Sequence, residues 1–229
     1  MAYGACEPHA VYLEWAGVET GGKRQVLAVI NYGAGNLRSV TNALTRLGCR
    51  PTITADPRDI LRADSVVFPG VGAAADTMRH LARSGLDDAI RAVIQEGRPL
   101  LAVCLGMQVL LSISEENGLS ECLGVIPGRV KRLPADLKVP HMGWNQVKQL
   151  TGHPIFDGIP DESDFYFVHS YYAEPEDSGL VAGITEYGFP ICSVIIKDNL
   201  VATQFHPEKS GESGLMMYEN YLRMAGSRV

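Results

Sequence analysis

"LLAVCLGMQVLL", residues 100–111, is two apolar runs with a cysteine at their seam. The first run, led by Pro99, has the length of a buried strand. The second, continuing through Ser114, reads as a helix. A strand that turns sharply into a helix accounts for both and puts Cys104 on the turn. In open α/β sheets, sites form beyond the carboxyl ends of the strands. Ala102 and Gly106, two residues to either side, are small, as a strained nucleophile turn requires. The start of a helix favours a thiolate, and its free N–H groups suit an oxyanion. The same pattern also fits a plain core cysteine, which behaves as a small hydrophobe.

The flanking sequence repeats the strand–helix alternation. "VLAVINY" (26–32) and "SVVFPG" (65–70) predict buried strands. "NLRSVTNALTRLG" (36–48) carries Leu37, Val40, Leu44 and Leu47 at helical spacing, with Asn36 as N-cap and Gly48 as stop. Residues 74–85 and 86–97 predict amphipathic helices, each closed by glycine. The second half changes character. Segments 128–133, 144–150, 164–173, 180–187, 190–199 and 200–206 read as strands, and 212–226 as a closing helix. The expected fold is α/β: a central mixed, largely parallel sheet flanked by helices. The domain is expected over 26–229. Residues 1–25 lack the pattern of a secretory signal and read as an N-terminal extension with no assigned role.

Composition narrows the function. The 229 residues carry a net charge of −6 and no Lys/Arg run, so nucleic acid and anionic membranes are poor partners. No stretch of about 18 apolar residues is present, so no membrane span is expected. Five cysteines at wide spacings, without CxxC, argue for a reducing cytoplasm rather than a disulfide framework. The six histidines show no metal-ligand spacing, and no metal or cofactor is expected.

A cysteine nucleophile needs a base. In "ATQFHPEKS" (202–210), His206 ends an expected strand and Glu208 lies two residues on, on the same side of an extended chain. Glu208 would take one imidazole nitrogen and leave the other for Cys104, which gives nucleophile, base and orienting carboxylate. The bland alternative is a surface His–Glu pair. In "FPGVGAAADT" (68–77), Gly70 and Gly72 allow positive φ, so a backbone N–H could turn toward a reacting carbonyl.

Together, "PGVG" (69–72), "CLGMQ" (104–108) and "HPE" (206–208) resemble the class I, triad-type glutamine amidotransferases. With "NYGAGN" (31–36), "SEE" (114–116), "PHMGWN" (140–145), "YFVHSY" (166–171) and "QFHPEKS" (204–210), the chain is similar to that family's imidazole glycerol phosphate synthase branch. The resemblance runs from Val26 to about Gly226 and implies a flavodoxin-like fold and a glutaminase. Cys104 would attack the glutamine side-chain amide, with His206 and Glu208 completing the triad. The N–H groups of Val71 and Leu105 would form the oxyanion hole. Gly72, Gln108, Glu116, Ser170 and Tyr171 would surround glutamine, with Gln108 and Glu116 on the helix that starts at the nucleophile. The ammonia would pass to a (β/α)₈ cyclase subunit that makes imidazole glycerol phosphate and AICAR from PRFAR in histidine biosynthesis. Asn31, Asn36, His141, Met142, Trp144, Asn145 and Lys209 would meet that partner in a heterodimer. The flexible Gly70 and Gly72 flanks suggest gating, with the PGVG donor turned away until partner and ligand act. The rival readings are another triad amidotransferase, a stand-alone γ-glutamyl hydrolase, and a non-enzymatic binding module of the same fold.

Overall fold

A computed structural model describes residues 25–33 and 37–226. Asn36, the expected N-cap and docking residue, and the extension through residue 24 lie outside the described residues.

The chain enters β1 (Leu27–Ile30), α1 (Leu37–Arg46), β2 (Thr52–Thr54), α2 (Pro57–Arg62), β3 (Ser65–Gly70), α3 (Ala74–Ser84) and α4 (Leu86–Gln95). Then come β4 (Leu100–Cys104), α5 (Leu105–Gln108), β5 (Ile113–Ser114), β6 (Ser120–Glu121) and β7 (Gly128–Arg132). The second half runs β8 (His141–Gln149), β9 (Ser163–His169), β10 (Tyr171–Pro175), β11 (Val181–Glu186), β12 (Pro190–Lys197), β13 (Leu200–Thr203) and α6 (Gly211–Met224). The strand order is β2-β1-β3-β4-β13-β12-β10-β7-β5-β6, with β11, β8 and β9 branching from β12. The five strands β2-β1-β3-β4-β13 are mutually parallel, and the wing built on β12 is mostly antiparallel. The expected mixed sheet flanked by helices is the fold observed.

Strand alternation divides the core into two layers. Val66, Phe68, Leu100 and Ala102 pack with Ile60, Leu81, Ile90 and Val93 of α2, α3 and α4 on one face. Val29, Val67, Leu101 and Val103 pack with Val40, Leu44, Met217 and Tyr221 of α1 and α6 on the other. Burying each Leu or Ile contributes about 1.5–3 kcal/mol, so each helix is held by its apolar stripe rather than by its own propensity.

The short β2, α2, β5 and β6 escape the sequence reading, and one helix is shorter than expected. The short β2 and α2 lie between the expected 36–48 helix and the 65–70 strand. The helix expected over 106–114 is only the single turn α5. Past Gln108 the carbonyls find partners outside any helix. Leu123 N–H donates to Val109, Gly124 to Leu111 and Ile126 to Leu110. With those acceptors satisfied by the 122–126 segment, the chain leaves the helix and enters β5. Glu116 therefore sits in the turn after β5, not on a helix with Gln108.

Candidate active site

Three neighbouring parallel strands, β3, β4 and β13, end at one edge of the sheet. Gly70 pairs with Cys104 in register, and Val103 with Thr203. Alternation would send Cys104 into the layer of Leu100 and Ala102. Its φ of 53° and ψ of −109° turn it instead into the layer of Leu101, Val103 and Phe205. A non-glycine residue in that conformation carries backbone strain of order 1–3 kcal/mol. The tight turn depends on close backbone approach. A Cβ on Gly70 would lie 2.1 Å from the Gly106 nitrogen, and one on Gly106 would lie 2.4 Å from the Phe68 carbonyl oxygen. Gly70 thus serves contact rather than the positive φ expected of it, whereas Gly72 does take φ of 104°.

Beyond β13, His206 is held by its N–H bond to the Tyr166 carbonyl (2.9 Å) and by Ser210. The Ser210 hydroxyl donates to the His206 carbonyl (2.7 Å) and accepts from the Tyr166 N–H (3.0 Å). His206 Nδ1 donates to Glu208 Oε1 at 2.8 Å, and both side chains are buried. The chain here is a 3₁₀ turn over Pro207–Lys209, so the turn, not an extended segment, brings the carboxylate to the ring. On the other side, the imidazole shares a cavity wall with Cys104 and interacts with it. Burial alone would push the imidazole down. Its interactions with Cys104 and Glu208, and their charges, outweigh burial and hold His206 well above the usual histidine range. The wholly buried Tyr218 hydroxyl lies near the same carboxylate; burial and then that negative charge push its pKa up.

Cys104, Leu105 and His206 line a cavity of about 460 Å³ with Val71, Gly72, Gln108, Glu116, Ser170 and Tyr171. All the residues expected around glutamine therefore share one space with Cys104 and His206. Gln108 Nε2 donates to the Tyr171 carbonyl (2.8 Å) and to Gln204 Oε1 (3.0 Å). Glu116 Oε2 accepts from the Ala74 N–H at 2.6 Å and so caps α3, just past the PGVG loop. The Val71 N–H, expected in the oxyanion hole, donates to the Tyr32 hydroxyl at 3.0 Å. Among the described residues, no group of three or more His, Cys, Asp or Glu side chains is placed to hold a metal.

The sequence profile of "Glutamine amidotransferase class-I" matches residues 28–224. Imidazole glycerol phosphate synthase subunit HisH of Dehalococcoides mccartyi (strain CBDB1) is 54% identical over 200 residues, covering 87% of this chain and 98% of that protein. The HisH subunit of Chloroflexus aurantiacus is 52% identical over 202 residues, covering 86% and 95%. The chain belongs to the HisH family of class-I glutamine amidotransferases. Solved structures share the fold at lower identity. A glutamine amidotransferase superposes with a TM-score of 0.70 at 20% identity, covering 88% of this chain and 99% of that one. The Thermotoga maritima PurLQS structure superposes at 0.69 with 15% identity, over 88% and 99%.

In this HisH-family chain, the expected docking residues divide between two faces of β8. Met142 and Trp144 are 60% and 57% exposed. Trp144 packs edge-on against Tyr166, and Lys209 Nζ lies 5.7 Å from the same ring. Asn31 lies at the end of β1, its side chain capping the Gly33 N–H. His141 departs from the expectation. It points inward, is only 3% exposed and stacks between Phe167 and Tyr187. Strand alternation explains the difference, since His141 and Asn145 share the face opposite Met142 and Trp144. His169 Nδ1 bonds the Tyr171 carbonyl (2.9 Å), so its Nε2 accepts from His141 Nδ1 (3.0 Å), and His141 Nε2 faces the Asn145 amide (3.3 Å). Burial pushes His141 down to about 4 and His169 to about 3, and both rings are neutral.

The sequence reading missed Tyr32, Gln204, Tyr218 and the His141–His169 pair. Tyr32 and Gln204 stand inside quoted motifs. Gln204 is two residues from His206, and that spacing was the available signal. Tyr218 and the histidine pair follow from packing between distant elements, which no local spacing announces.

Proposed function

We propose that this chain is the glutaminase subunit of an imidazole glycerol phosphate synthase. It hydrolyses glutamine to glutamate and ammonia. A cyclase subunit, bound as a heterodimer in the cytoplasm, uses the ammonia to make imidazole glycerol phosphate and AICAR from PRFAR. The observation that carries this reading is Cys104 and His206 on the wall of one cavity, with Glu208 buried against His206 behind it. The domain over 26–229 holds all of it.

The chemistry follows from the geometry. The Cys104 thiolate, paired with the His206 imidazolium, attacks the glutamine side-chain carbonyl. The oxyanion that forms is held by the Leu105 and Val71 N–H groups. His206 gives its proton to the leaving nitrogen, and ammonia departs from a thioester. His206 then takes a proton from water, which attacks the thioester and releases glutamate and the thiolate. Glu208 keeps the ring oriented and offsets its charge throughout. Gln108, Glu116, Ser170 and Tyr171 hold the amino-acid end of the substrate, with Glu116 placed for the ammonium.

The exposed Met142–Trp144 patch with Lys209 beside the cavity supports docking of the cyclase at the mouth, where ammonia leaves. The bond from Val71 N–H to Tyr32 supports gating, because that donor is turned away from the substrate in the unpartnered chain.

The test is glutamate production by the purified chain with its cognate cyclase, with and without PRFAR. Strong stimulation by partner and ligand is expected. Cys104→Ala should abolish glutamine-dependent synthesis while leaving synthesis from added ammonia. A rate independent of partner would move the assignment to a stand-alone hydrolase, and no glutamate under any condition would mark a binding module.

A further inference from the structure

Gln204 is wholly buried immediately past β13, its backbone N–H bonded to the Ser193 carbonyl at 2.9 Å. Its side chain lies between two groups of the cavity. Oε1 accepts from Gln108 Nε2 at 3.0 Å, and Nε2 donates to Cys104 Sγ at 3.7 Å. A side-chain amide is often ambiguous in orientation. Here it is not. The Tyr171 carbonyl can only accept, so the end of Gln108 facing it at 2.8 Å is the nitrogen. That nitrogen also faces Gln204, so Gln204 must present its oxygen there and its N–H₂ to the sulfur. One backbone carbonyl thus fixes both amides in turn.

We propose that Gln204 is a catalytic residue: its amide N–H holds the Cys104 sulfur as an aimed thiolate, and its carbonyl locks Gln108 with only an acceptor left for the substrate. The inference rests on the nucleophilic role of Cys104. A thiolate accepts a hydrogen bond far better than a thiol, so a fixed donor favours the charged form. His206 also faces the sulfur, but it surrenders its proton to the departing ammonia. Gln204 has no proton to lose at neutral pH and remains a donor through both halves of the reaction. Both hydrogens of Gln108 Nε2 are engaged by Tyr171 and Gln204, so Gln108 offers glutamine its oxygen, an acceptor suited to an N–H of the substrate.

The experiment compares the full chain with Gln204→Met and Gln204→Glu, alone and with the cyclase. Methionine keeps the volume and removes both polar groups. Glutamate keeps the acceptor for Gln108 but replaces the donor to sulfur with a negative charge. Alkylation of Cys104 by iodoacetamide is followed by mass spectrometry across pH, and kcat and KM for glutamine are measured in the complex. In both variants we expect Cys104 alkylation near pH 7 to fall about tenfold. We expect kcat to fall in parallel. KM should rise only in Gln204→Met, where Gln108 loses its anchor. Alkylation profiles matching the wild type in both variants overturn the proposal.

Should neither variant fold, the wild-type chain still decides. The ¹⁵N-labelled Gln204 side-chain amide should shift on Cys104→Ala if it donates to the sulfur, and an unchanged resonance overturns the proposal. A wild-type Cys104 no more reactive than Cys49, or a glutaminase that survives Cys104→Ala, would instead remove the nucleophile reading itself.

Discussion

The Tyr32 hydroxyl grips both sides of one residue: it donates to the Val71 carbonyl at 3.2 Å and accepts from the Val71 N–H at 3.0 Å. The N–H that would steady the oxyanion is therefore engaged 39 residues away in sequence. Each such bond stabilises its conformation by about 1 kcal/mol net. Removing both with Tyr32→Phe keeps the ring against Phe68, which it meets edge-on. We expect glutamine hydrolysis by the isolated chain to rise about five- to tenfold and the stimulation by cyclase and ligand to shrink to match. A fall in both rates would mean that Tyr32 supports the active geometry instead of restraining it.

Gly70 and Gly106 make a stability prediction. A methyl on Gly70 would meet the Gly106 nitrogen at 2.1 Å and the Leu105 carbonyl carbon at 2.7 Å, both backbone atoms that cannot swing aside. Gly70→Ala and Gly106→Ala should each cost about 3 kcal/mol or more, a value reached only by strain or overpacking of this kind. Urea unfolding measures it. A loss under about 1 kcal/mol would show that the nucleophile turn is looser than its packing implies.

These contacts mark where the sequence stops being legible. The strand ending at Cys104 was readable because a buried parallel strand is a plain apolar run, and Ala102 and Gly106 flag the turn. The grouping of Cys104, His206 and Glu208 was readable because the chemistry expected of them needs few residue types. The end of α5 was not, because the carbonyls just past it, at Val109, Leu110 and Leu111, are satisfied by the 122–126 segment, which nothing in residues 105–111 announces. The position of Glu208 was reached by the wrong route: the extended i, i+2 argument gave the right partner, but a 3₁₀ turn makes the contact. His141 was misplaced because the expected strand begins only at Trp144, whereas β8 starts at His141 and sends alternate residues to opposite faces.

The histidines predict a stability optimum in pH. His141, His169 and His153 are all pushed below 6.5, first by burial. As pH falls below about 6.5, the unfolded chain takes up protons that the folded chain refuses, so stability drops. For the coupled His141–His169 pair the slope is at most about 2.7 kcal/mol per pH unit. His206 works in the opposite sense. Its pKa is raised, so its contribution is complete below about 6.5 and is lost as pH climbs toward about 10. Asp56, held near 2 by Arg58, enters only below the usual aspartate range. Chemical denaturation from pH 5 to 9 should therefore show a maximum near pH 6.5–7. A curve still rising at pH 8 would mean that His206 is not held charged.

Glu208 and Tyr218 allow the orienting end of the triad to be dissected. Glu208→Gln preserves shape but removes the charge that, with Cys104, holds His206 protonated. The thiolate–imidazolium pair then weakens, and kcat should fall about 10²-fold or more, with little change in KM because no substrate contact is lost. The alkaline limb of the kcat profile should also move to lower pH, since the imidazolium gives up its proton sooner. Tyr218→Phe is the milder probe. It removes a buried hydroxyl that lies near the Glu208 carboxylate, inside α6, while keeping the ring that fills the core. A loss of about 1 kcal/mol in orientation lowers kcat about fivefold and leaves KM unchanged. Equal kcat in Tyr218→Phe and wild type, with the Glu208→Gln loss intact, would show that the Pro207–Lys209 turn alone fixes the carboxylate.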